Sequence, residues 1–227
     1  MLTSVIIPAH NEEKYIRATL ESYARQSNGT FETIVVANGC SPADNTAQIA
    51  EDLGAKVIEL EEGNVSLARN VGAEIAEGEN LIFNDADTVV APNYVETIAT
   101  ALDHGKCDYG NVKFHPENCH PITLLYCFSA SVSGYWKKTT GGNSFVRREA
   151  FNEVNGYDIN LIVGEDTDLG RRIRATGKTH NFLWSTYVIT SMRKFKEQGY
   201  LKEFFVNLYF PHLKRSIQRK MNLVSKK

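Results

Sequence analysis

Short apolar runs separated by helix-like segments dominate the N-terminal part of the chain. Four runs have the length and the β-branched content of buried strands: TSVIIPA (3–9), ETIVVA (32–37), AKVIEL (55–60) and NLIFND (80–85). Between them, apolar positions recur at helical spacing, as at Ile16, Leu20 and Tyr23. Strands that alternate with helices at this pace indicate β-α-β units and a parallel sheet. We therefore predict an α/β fold in which a ligand binds beyond the carboxyl ends of the strands.

Residues that can cap helices mark where two of these helices begin. Asn11 is predicted to cap the first helix, and Ser66 is predicted to cap LARNVGAEIA. The second of these caps would place Arg69 and Asn70 in the first turn of their helix. Because a helix N-terminus attracts phosphate and arginine adds a planar fork of donors, Arg69 is a candidate phosphate ligand. The alternative is an exposed arginine on an amphipathic helix.

The second half of the chain has a different pattern. Its predicted elements are a helix near 94–102, an extended segment at 107–116, a strand at 141–146, a helix from 148 and a helix within 164–173. The apolar stretch PITLLYCFSASVSGYW (121–136) is too short and too interrupted by Ser and Gly to span a bilayer. No low-complexity linker separates the halves, so residues 1–191 are predicted to form one domain.

Composition places the chain among soluble proteins of the cytoplasm. Hydrophobic residues make up 42% and charged residues 23%, which is usual for a globular domain. The N-terminus enters a strand directly, without the basic and long apolar regions of a secretory signal. The four cysteines have no C-x-x-C spacing, so we expect reduced thiols and a cytoplasmic protein.

Charge is unevenly distributed along the chain. Residues 192–227 carry ten Lys or Arg against two Glu, whereas the preceding residues carry fifteen basic against twenty-five acidic groups. Bulky apolar residues such as Phe204 and Phe205 are interspersed with these cations. We predict a basic, amphipathic, helical C-terminal extension that lies on an anionic membrane surface. The alternative is that its aromatic residues pack on the domain and its cations are solvated.

Two acidic motifs are candidates for chemistry. Asp85 and Asp87 follow the fourth predicted strand, and two carboxylates on a short turn suit Mg²⁺ or Mn²⁺ with a diphosphate. The alternative is an ordinary Asx-rich turn. Glu165 and Asp166 begin a predicted helix, where acidic residues are favoured by the helix dipole. A carboxylate crowded by another has a raised pKa, so this pair is also a candidate general base.

Other nucleotide and hydrolase motifs are missing from the sequence. GKT (177–179) lacks the glycine that a P-loop requires, and neither G-x-G-x-x-G nor G-x-S-x-G occurs. We therefore do not predict a kinase, a dehydrogenase or a serine hydrolase.

The remaining motifs, taken in order, resemble the inverting family 2 glycosyltransferases. The matching segments, which span roughly residues 3 to 177, are SVIIPAHNEE, IVVANG…DNT, LARNVGAEIA, NDADT, GGNSFVRREAFNEVNGYD and GEDTDLGRRI. The resemblance implies the GT-A fold of the nucleotide-diphospho-sugar transferases, a mixed, mostly parallel, Rossmann-like sheet flanked by helices. It also implies transfer of a sugar from a nucleoside-diphosphate donor to an acceptor hydroxyl with inversion.

The resemblance implies a role for each matching residue. Residues 1–104 would bind the nucleotide and 105–191 the acceptor, which would be a glycan or lipid-linked molecule and not a nucleic acid. The implied nucleotide ligands are Pro8, Ala9, His10, Asn11, Glu12, Asn38, Arg69 and Asp85. Asp87, with Asp85, would hold Mn²⁺ or Mg²⁺, and Asp166, beside Glu165, would be the catalytic base. Gly142 and Asn143 would shape the donor-sugar and acceptor side, and Arg193 would reach the diphosphate.

One departure from the family pattern concerns the donor base. The loop after the second strand commonly reads D-D-G-S in the family and supplies an aspartate to a uracil N–H. This chain has Ala37, Asn38, Gly39 and Cys40 there, so the expected carboxylate is replaced by an amide. The sequence therefore does not decide whether the donor is a UDP-sugar, a GDP-sugar or another nucleotide-sugar. A sugar nucleotidyltransferase and a catalytically inactive nucleotide-sugar-binding module are the alternative functions.

Overall fold

The structure is a computed structural model that describes residues 1–161 and 163–209, with side chains described through Val206. The strands are β1 Thr3–Ala9, β2 Phe31–Asn38, β3 Lys56–Leu60, β4 Asn80–Phe83, β5 Thr88–Val90, β6 Tyr109–Pro116, β7 Ser144–Arg147 and β8 His180–Thr190. The helices are α1 Ile16–Ala24, α2 Thr46–Asp52, α3 Val65–Ile75, α4 Tyr94–Asp103, α5 Pro121–Lys137, α6 Arg148–Glu153, α7 Glu165–Ala175, α8 Arg193–Gln198 and α9 Tyr200–Tyr209.

The strands form one eight-stranded mixed sheet in the order β3-β2-β1-β4-β7-β6-β8-β5. Strands β1 to β4 are parallel to one another, as the alternation of strands and helices predicts. Strand β7 runs antiparallel to both of its neighbours, β4 and β6. Strands β6 and β8 are parallel, and β5 pairs antiparallel with β8. The predicted α/β fold with a mixed, mostly parallel sheet is confirmed.

Helices cover both faces of the sheet, which explains why its central strands are continuous apolar runs. Every residue of β1 is buried. Along β1, Ile7 faces one core, shared with α1 and α4, whereas Ile6 faces a second core, shared with α3 and α7. Because successive side chains of a strand point to opposite faces, a single apolar run stabilises both layers.

Both predicted helix caps are wrong. Helix α1 begins only at Ile16, and Asn11 has a left-handed φ of 55° with its Oδ1 accepting a hydrogen bond from the Ser41 backbone N–H. Helix α3 is capped by Asn64, whose side chain accepts from the N–H of Leu67, so the helix begins before Ser66. Arg69 consequently lies in the second turn of α3, away from the free N–H groups of its N-terminus.

Strand β5, helix α5 and strand β8 were not predicted, and the last two line the site described below. The apolar stretch at 121–136 is the seventeen-residue helix α5, capped by His120, whose side chain accepts from the N–H of Ile122. Residues 180–190 form the strand β8, which pairs with β6 across about seventy residues of sequence. The fourth predicted strand is also shorter than expected, since β4 ends at Phe83 and leaves Asp85 and Asp87 in the following turn.

The C-terminal extension is only partly within the described residues. Its first part packs on the domain, since Met192 and Phe195 are buried with Cys127 of α5. Half of the predicted basic, membrane-binding segment, residues 210–227, lies outside the described residues. Within the described part of the chain, no helix combines the length and the hydropathy needed to cross a membrane.

Candidate active site

A cleft of about 550 Å³ opens at the carboxyl ends of the central strands, where the turns after β1, β2 and β4 meet. Twelve of the predicted site residues line it: Pro8, His10, Glu12, Asn38, Arg69, Asp85, Asp87, Gly142, Asn143, Glu165, Asp166 and Arg193. Ala9 is buried beneath the cleft, and Asn11 lines an adjacent shallow groove instead. The two acidic motifs, eighty residues apart in sequence, therefore share one cavity.

Arg69 connects the two acidic motifs. Its Nη2 donates to Asp85 Oδ1 at 3.1 Å, while its Nη1 donates to Asp166 Oδ1 at 2.9 Å and to Glu165 Oε1 at 3.1 Å. Only 2% of the side chain is exposed, and the guanidinium packs 5.1 Å from the ring centre of Tyr157. A buried arginine must be paired to offset its desolvation, and here the planar fork fixes carboxylates on opposite sides of one group.

The start of α7 presents Asp166 to the cleft. Gly164 has a φ of 80°, a left-handed conformation that suits glycine, and the helix starts at the next residue. The hydroxyl of Thr140 donates to the backbone carbonyl of Asp166. Asp168, two residues further along α7, pairs instead with Arg171 and Arg172. The helix therefore directs the side chains of Asp166 and Asp168 to different sides, and of these two aspartates only Asp166 faces Arg69.

Burial raises the pKa of Asp166 well above the ordinary aspartate value. Arg69 opposes this rise, whereas the neighbouring carboxylates of Glu165 and Asp85 add to it. A carboxylate with a raised pKa holds a proton more readily and is a stronger base when deprotonated. Asp166 thus has the environment of a general base.

The turn after β4 holds Asp85 against the residues that precede β7. The backbone N–H of Asp85 donates to Asn143 Oδ1 at 3.3 Å, and a Cβ added to Gly142 would lie 2.5 Å from Asp85 Oδ2. Glycine is therefore required at 142 for the carboxylate to keep its place. Burial raises the pKa of Asp85, and Arg69 partly counteracts that effect.

Asp87 lies on the opposite side of the turn, beside Arg193. The guanidinium of Arg193 forms a two-bond pair with Glu12, at 2.7 Å and 2.5 Å, and its Nη2 lies 3.5 Å from Asp87 Oδ2. Tyr15 packs beneath it, with its ring centre 5.0 Å away. Burial and the adjacent Asp85 carboxylate raise the pKa of Asp87 to about 6, with Arg193 opposing them.

The turns after β1 and β2 form one side of the cleft. The Nδ2 of Asn38 donates to the carbonyls of Ala9 and Val36, at 2.9 Å and 3.3 Å. The ring of His10 is bonded through Nδ1 to the Asn38 carbonyl oxygen at 2.7 Å. Because both amide protons of Asn38 are taken by backbone carbonyls, its side chain can offer a ligand only its oxygen.

Several lining residues were not predicted from the sequence. Helix α5 contributes Tyr126, Cys127 and Ala130, and the end of β8 contributes Thr190 and Ser191. These residues carry no motif, and their only signal is their place after or within elements that the pattern did not reveal. Tyr157, behind Arg69, was likewise not singled out, although it lies within the matching segment GGNSFVRREAFNEVNGYD.

The acidic residues of the cleft fit a divalent cation that is shared with a substrate. Asp85 and Asp87 are neighbouring carboxylates whose pKa values are both raised by burial, so a cation would relieve their mutual repulsion. Within the described residues, no group of three or more His, Cys, Asp or Glu side chains could enclose a metal. Two carboxylates completed by phosphate oxygens are a usual donor set for Mg²⁺ and Mn²⁺.

Comparison with known families and proteins gives consistent matches. The family described as glycosyl transferase family 2 matches residues 4–155, about two thirds of the chain. A second family, described as the N-terminal domain of galactosyltransferase, matches residues 126–197.

Curated relatives cover different fractions of the chain. Glycosyltransferase GlyG of Streptococcus pneumoniae is 31% identical over 180 residues, which cover 68% of this chain and 59% of GlyG. Poly(ribitol-phosphate) β-N-acetylglucosaminyltransferase TarS of Staphylococcus aureus is 36% identical over 126 residues, which cover 52% of this chain and 22% of TarS. The chain spans between 22% and 33% of the length of several relatives, TarS included.

Solved structures have the same fold. Residues 1–349 of Staphylococcus aureus TarS in complex with UDP-GlcNAc match with a TM-score of 0.71 and 24% identity, over 85% of this chain and 59% of that one. The mannosyltransferase PcManGT from Pyrobaculum calidifontis, in complex with GDP-Man and Mn²⁺, matches with a TM-score of 0.69 and 18% identity, over 96% and 64%. The chain therefore has the GT-A fold and belongs to glycosyl transferase family 2.

Proposed function

We propose that this chain is a glycosyltransferase that moves a sugar from a nucleoside-diphosphate donor to an acceptor hydroxyl with inversion. One observation carries the proposal: the buried Arg69 bonds Asp85 on one side and Asp166 on the other. The proposed donor-side carboxylate and the proposed base thereby flank one cavity. A cavity of about 550 Å³ is of the size that takes a small ligand.

The proposed chemistry is a single displacement. Asp166 takes the proton from the acceptor hydroxyl as its oxygen attacks the anomeric carbon. The bond from that carbon to the diphosphate breaks on the opposite face, and its electron pair leaves with the diphosphate. The raised pKa of Asp166 supports the role of base, and an attack opposite to the leaving group inverts the anomeric configuration.

Asp87 and Asp85 are the proposed ligands of a divalent cation. When bound, Mn²⁺ or Mg²⁺ would offset the negative charge that develops on the departing diphosphate. Arg193 is the proposed second cation near the diphosphate, since Glu12 holds it beside Asp87. Glu165 shares Nη1 of Arg69 with Asp166 and is proposed to hold that guanidinium in place rather than to accept the proton.

The two sides of the cleft are assigned to the donor and the acceptor. The donor nucleotide is proposed to bind at Pro8, His10, Glu12 and Asn38, which line the cleft, with Arg69 and Asp85 at its diphosphate end. Gly142 and Asn143 are proposed to lie at the transferred sugar. An acceptor-only Asn38 suits a base with an N–H on its pairing edge, which both uracil and guanine have. The acceptor is proposed to be a glycan or a lipid-linked molecule.

The alternative functions need different features from the cleft. A sugar nucleotidyltransferase would act on the α-phosphate of a nucleoside triphosphate and usually carries a glycine-rich, basic loop after its first strand. Here that position holds Ala9, His10, Asn11 and Glu12, and Glu12 is committed to Arg193. An inactive binding module would have no use for a base held opposite the donor side by Arg69.

The proposed function is tested by the products released from a panel of donors. The full chain is incubated with Mn²⁺ and UDP-GlcNAc, UDP-glucose or GDP-mannose, and the release of UDP or GDP is measured with water or added glycans as acceptors. A parallel reaction with nucleoside triphosphate and sugar 1-phosphate is assayed for pyrophosphate. We expect nucleoside diphosphate from one donor class, abolished by chelation. Pyrophosphate release would favour the nucleotidyltransferase, and the absence of both products would favour the inactive module.

A further inference from the structure

Helix α5 has an apolar face on the outside of the molecule. Its inward stripe consists of the small or polar residues Thr123, Cys127 and Ser131, which are buried. Its outward stripe carries large apolar side chains that are exposed: Leu124, Leu125, Phe128, Tyr135 and Trp136. At 100° per residue these five positions fall within about one third of the helix circumference. The outward side of α5 is therefore apolar, where a surface helix usually carries polar residues.

The aromatic end of this face is extended by the sheet. The rings of Tyr135 and Trp136 lie 5.7 Å apart, and the ring of Trp184 on β8 lies 6.1 Å from Tyr135. Trp136 is 74% exposed and Phe128 is 64% exposed, so most of each side chain is accessible to solvent. We call these residues, with Leu124 and Leu125, the α5 face. Contiguous apolar surface of this kind marks an interaction site.

Charge identifies the partner that the α5 face fits. Helix α5 contains no acidic residue, and its last turn ends in Lys137, followed by the exposed Lys138. Helix α9 is joined to the start of α5 by the stacked rings of His120 and Tyr200, 3.8 Å apart. Beyond α9, residues 210–227 carry six Lys or Arg and no acidic residue in a chain whose net charge is −2. An apolar, tryptophan-bearing face bordered by cations complements an anionic bilayer surface.

We propose that the α5 face docks this protein onto an anionic phospholipid bilayer. The aromatic and leucine side chains would enter the headgroup region, and Lys137 and Lys138 would meet the lipid phosphates. The protein would lie on the bilayer without spanning it. The opposite side of α5 lines the catalytic cleft through Tyr126 and Ala130, so docking would bring the cleft close to the membrane. This inference does not depend on which reaction the cleft performs.

Vesicle binding by the full chain tests the docking surface. The two tryptophans of the sequence, Trp136 and Trp184, are both on the α5 face, so tryptophan emission reports directly on its environment. We expect a blue shift and co-sedimentation with vesicles of phosphatidylcholine and phosphatidylglycerol in equal parts. Vesicles of phosphatidylcholine alone should bind about tenfold or more weakly, because the electrostatic attraction is lost.

Matched variants locate the contact. Leu125→Ser with Phe128→Ser should weaken vesicle binding by about tenfold or more and leave both tryptophans in place as reporters. Ile159→Ser, at a similarly exposed apolar residue elsewhere, should bind like the unmodified chain. Undiminished binding by the double variant would overturn the proposal, as would the absence of any binding to anionic vesicles. A dimer that forms without lipid and is lost in the double variant would show instead that a second copy covers the α5 face.

Discussion

Arg69 determines the geometry of the candidate active site at the scale of single residues. A fully buried guanidinium is costly unless its charge is met, and three carboxylates meet it here. Asp85 is the proposed donor-side carboxylate and Asp166 the proposed base, so the position of Arg69 fixes the separation between the two proposed functions. Arg69 also counteracts the rise in the pKa of both aspartates, which keeps them available in the charged form.

The pH dependence of transfer tests this role of Arg69. A base acts when deprotonated, so activity should be present above the raised pKa of Asp166 and lost as the pH falls through it. The acid limb of kcat/KM should therefore lie at least about one pH unit above the ordinary aspartate pKa of about 4. Arg69→Met removes the charge that lowers this pKa and should move the limb upward by about one to three units.

A charge-conserving variant serves as the control for Arg69→Met. Arg69→Lys keeps a cation beside Asp166 and should move the limb by less than about one unit, although it should lower the rate because lysine lacks the fork. Removal of the charge also destabilises the fold, by about 3–5 kcal/mol, so thermal unfolding is measured alongside. An acid limb that is unmoved in a folded Arg69→Met protein would exclude Asp166 as the titrating base.

The sequence predicts the identity of most site residues but not how they contact one another. Asp85, Asp87, Glu165 and Asp166 were expected from their motifs, and all of them line the cleft. The bonds of Arg69 to carboxylates were not expected. The predicted cap, Ser66, placed Arg69 in the first turn of its helix, whereas α3 begins at Val65 and Arg69 lies in the second turn. Contacts between residues about a hundred positions apart depend on the packing of α3 against α7, which a local pattern does not contain.

The antiparallel pairing of β7 with β4 controls the donor side at the scale of elements. Register places Ser144 opposite Phe83, the last residue of β4. The residues just before β7, Gly142 and Asn143, therefore meet the residues just after β4, which include Asp85. A short chain segment from the second half of the molecule thus shapes the acidic turn of the first half.

Two adjacent glycines allow this contact to be tested. Gly142→Ala would place a Cβ 2.5 Å from Asp85 Oδ2, so the carboxylate held by Arg69 must move. We expect binding of UDP or GDP with Mn²⁺ to weaken by about tenfold or more, since one proposed metal ligand, Asp85, is displaced. Gly141→Ala meets only ordinary contacts, the nearest at 3.4 Å to Asn111, and should bind within about twofold of the unmodified chain. Equal effects of the two substitutions would contradict the close approach of Gly142 to Asp85.

The first and second halves differ in how far the sequence predicts their elements. Strands β1, β2 and β4 follow from local apolar runs because most of their residues are buried between helices, and β3 follows from a shorter run at the half-buried edge of the sheet. Strand β8 and helix α5 do not follow from such patterns. Strand β8 pairs with the distant strands β6 and β5, and α5 places several large apolar side chains outward. The apolar outward face of α5 is explained by the proposed membrane-binding surface and not by packing in the core.

The whole molecule joins a first half that is proposed to bind the donor to a second half that contains the proposed base and much of the cleft wall. Residues 4–155 match the family, yet the proposed base lies at residue 166, beyond that match. One continuous sheet connects the two parts, because β7 and β6 lie between the strands β1 to β4 of the first half and β8, which precedes α8. The central claim is therefore that Asp87 and Asp166 act on one bound donor with separate roles.

Donor affinity and turnover of two isosteric variants test this claim most directly. Calorimetric binding of the donor that is turned over, with Mn²⁺, is compared with kcat for Asp87→Asn and Asp166→Asn. We expect Asp87→Asn to lose about tenfold or more in donor affinity. Asp166→Asn should bind the donor within about twofold of the unmodified chain while kcat falls by about a hundredfold or more. Equal losses of donor affinity in both variants, or normal turnover by Asp166→Asn, would contradict the account.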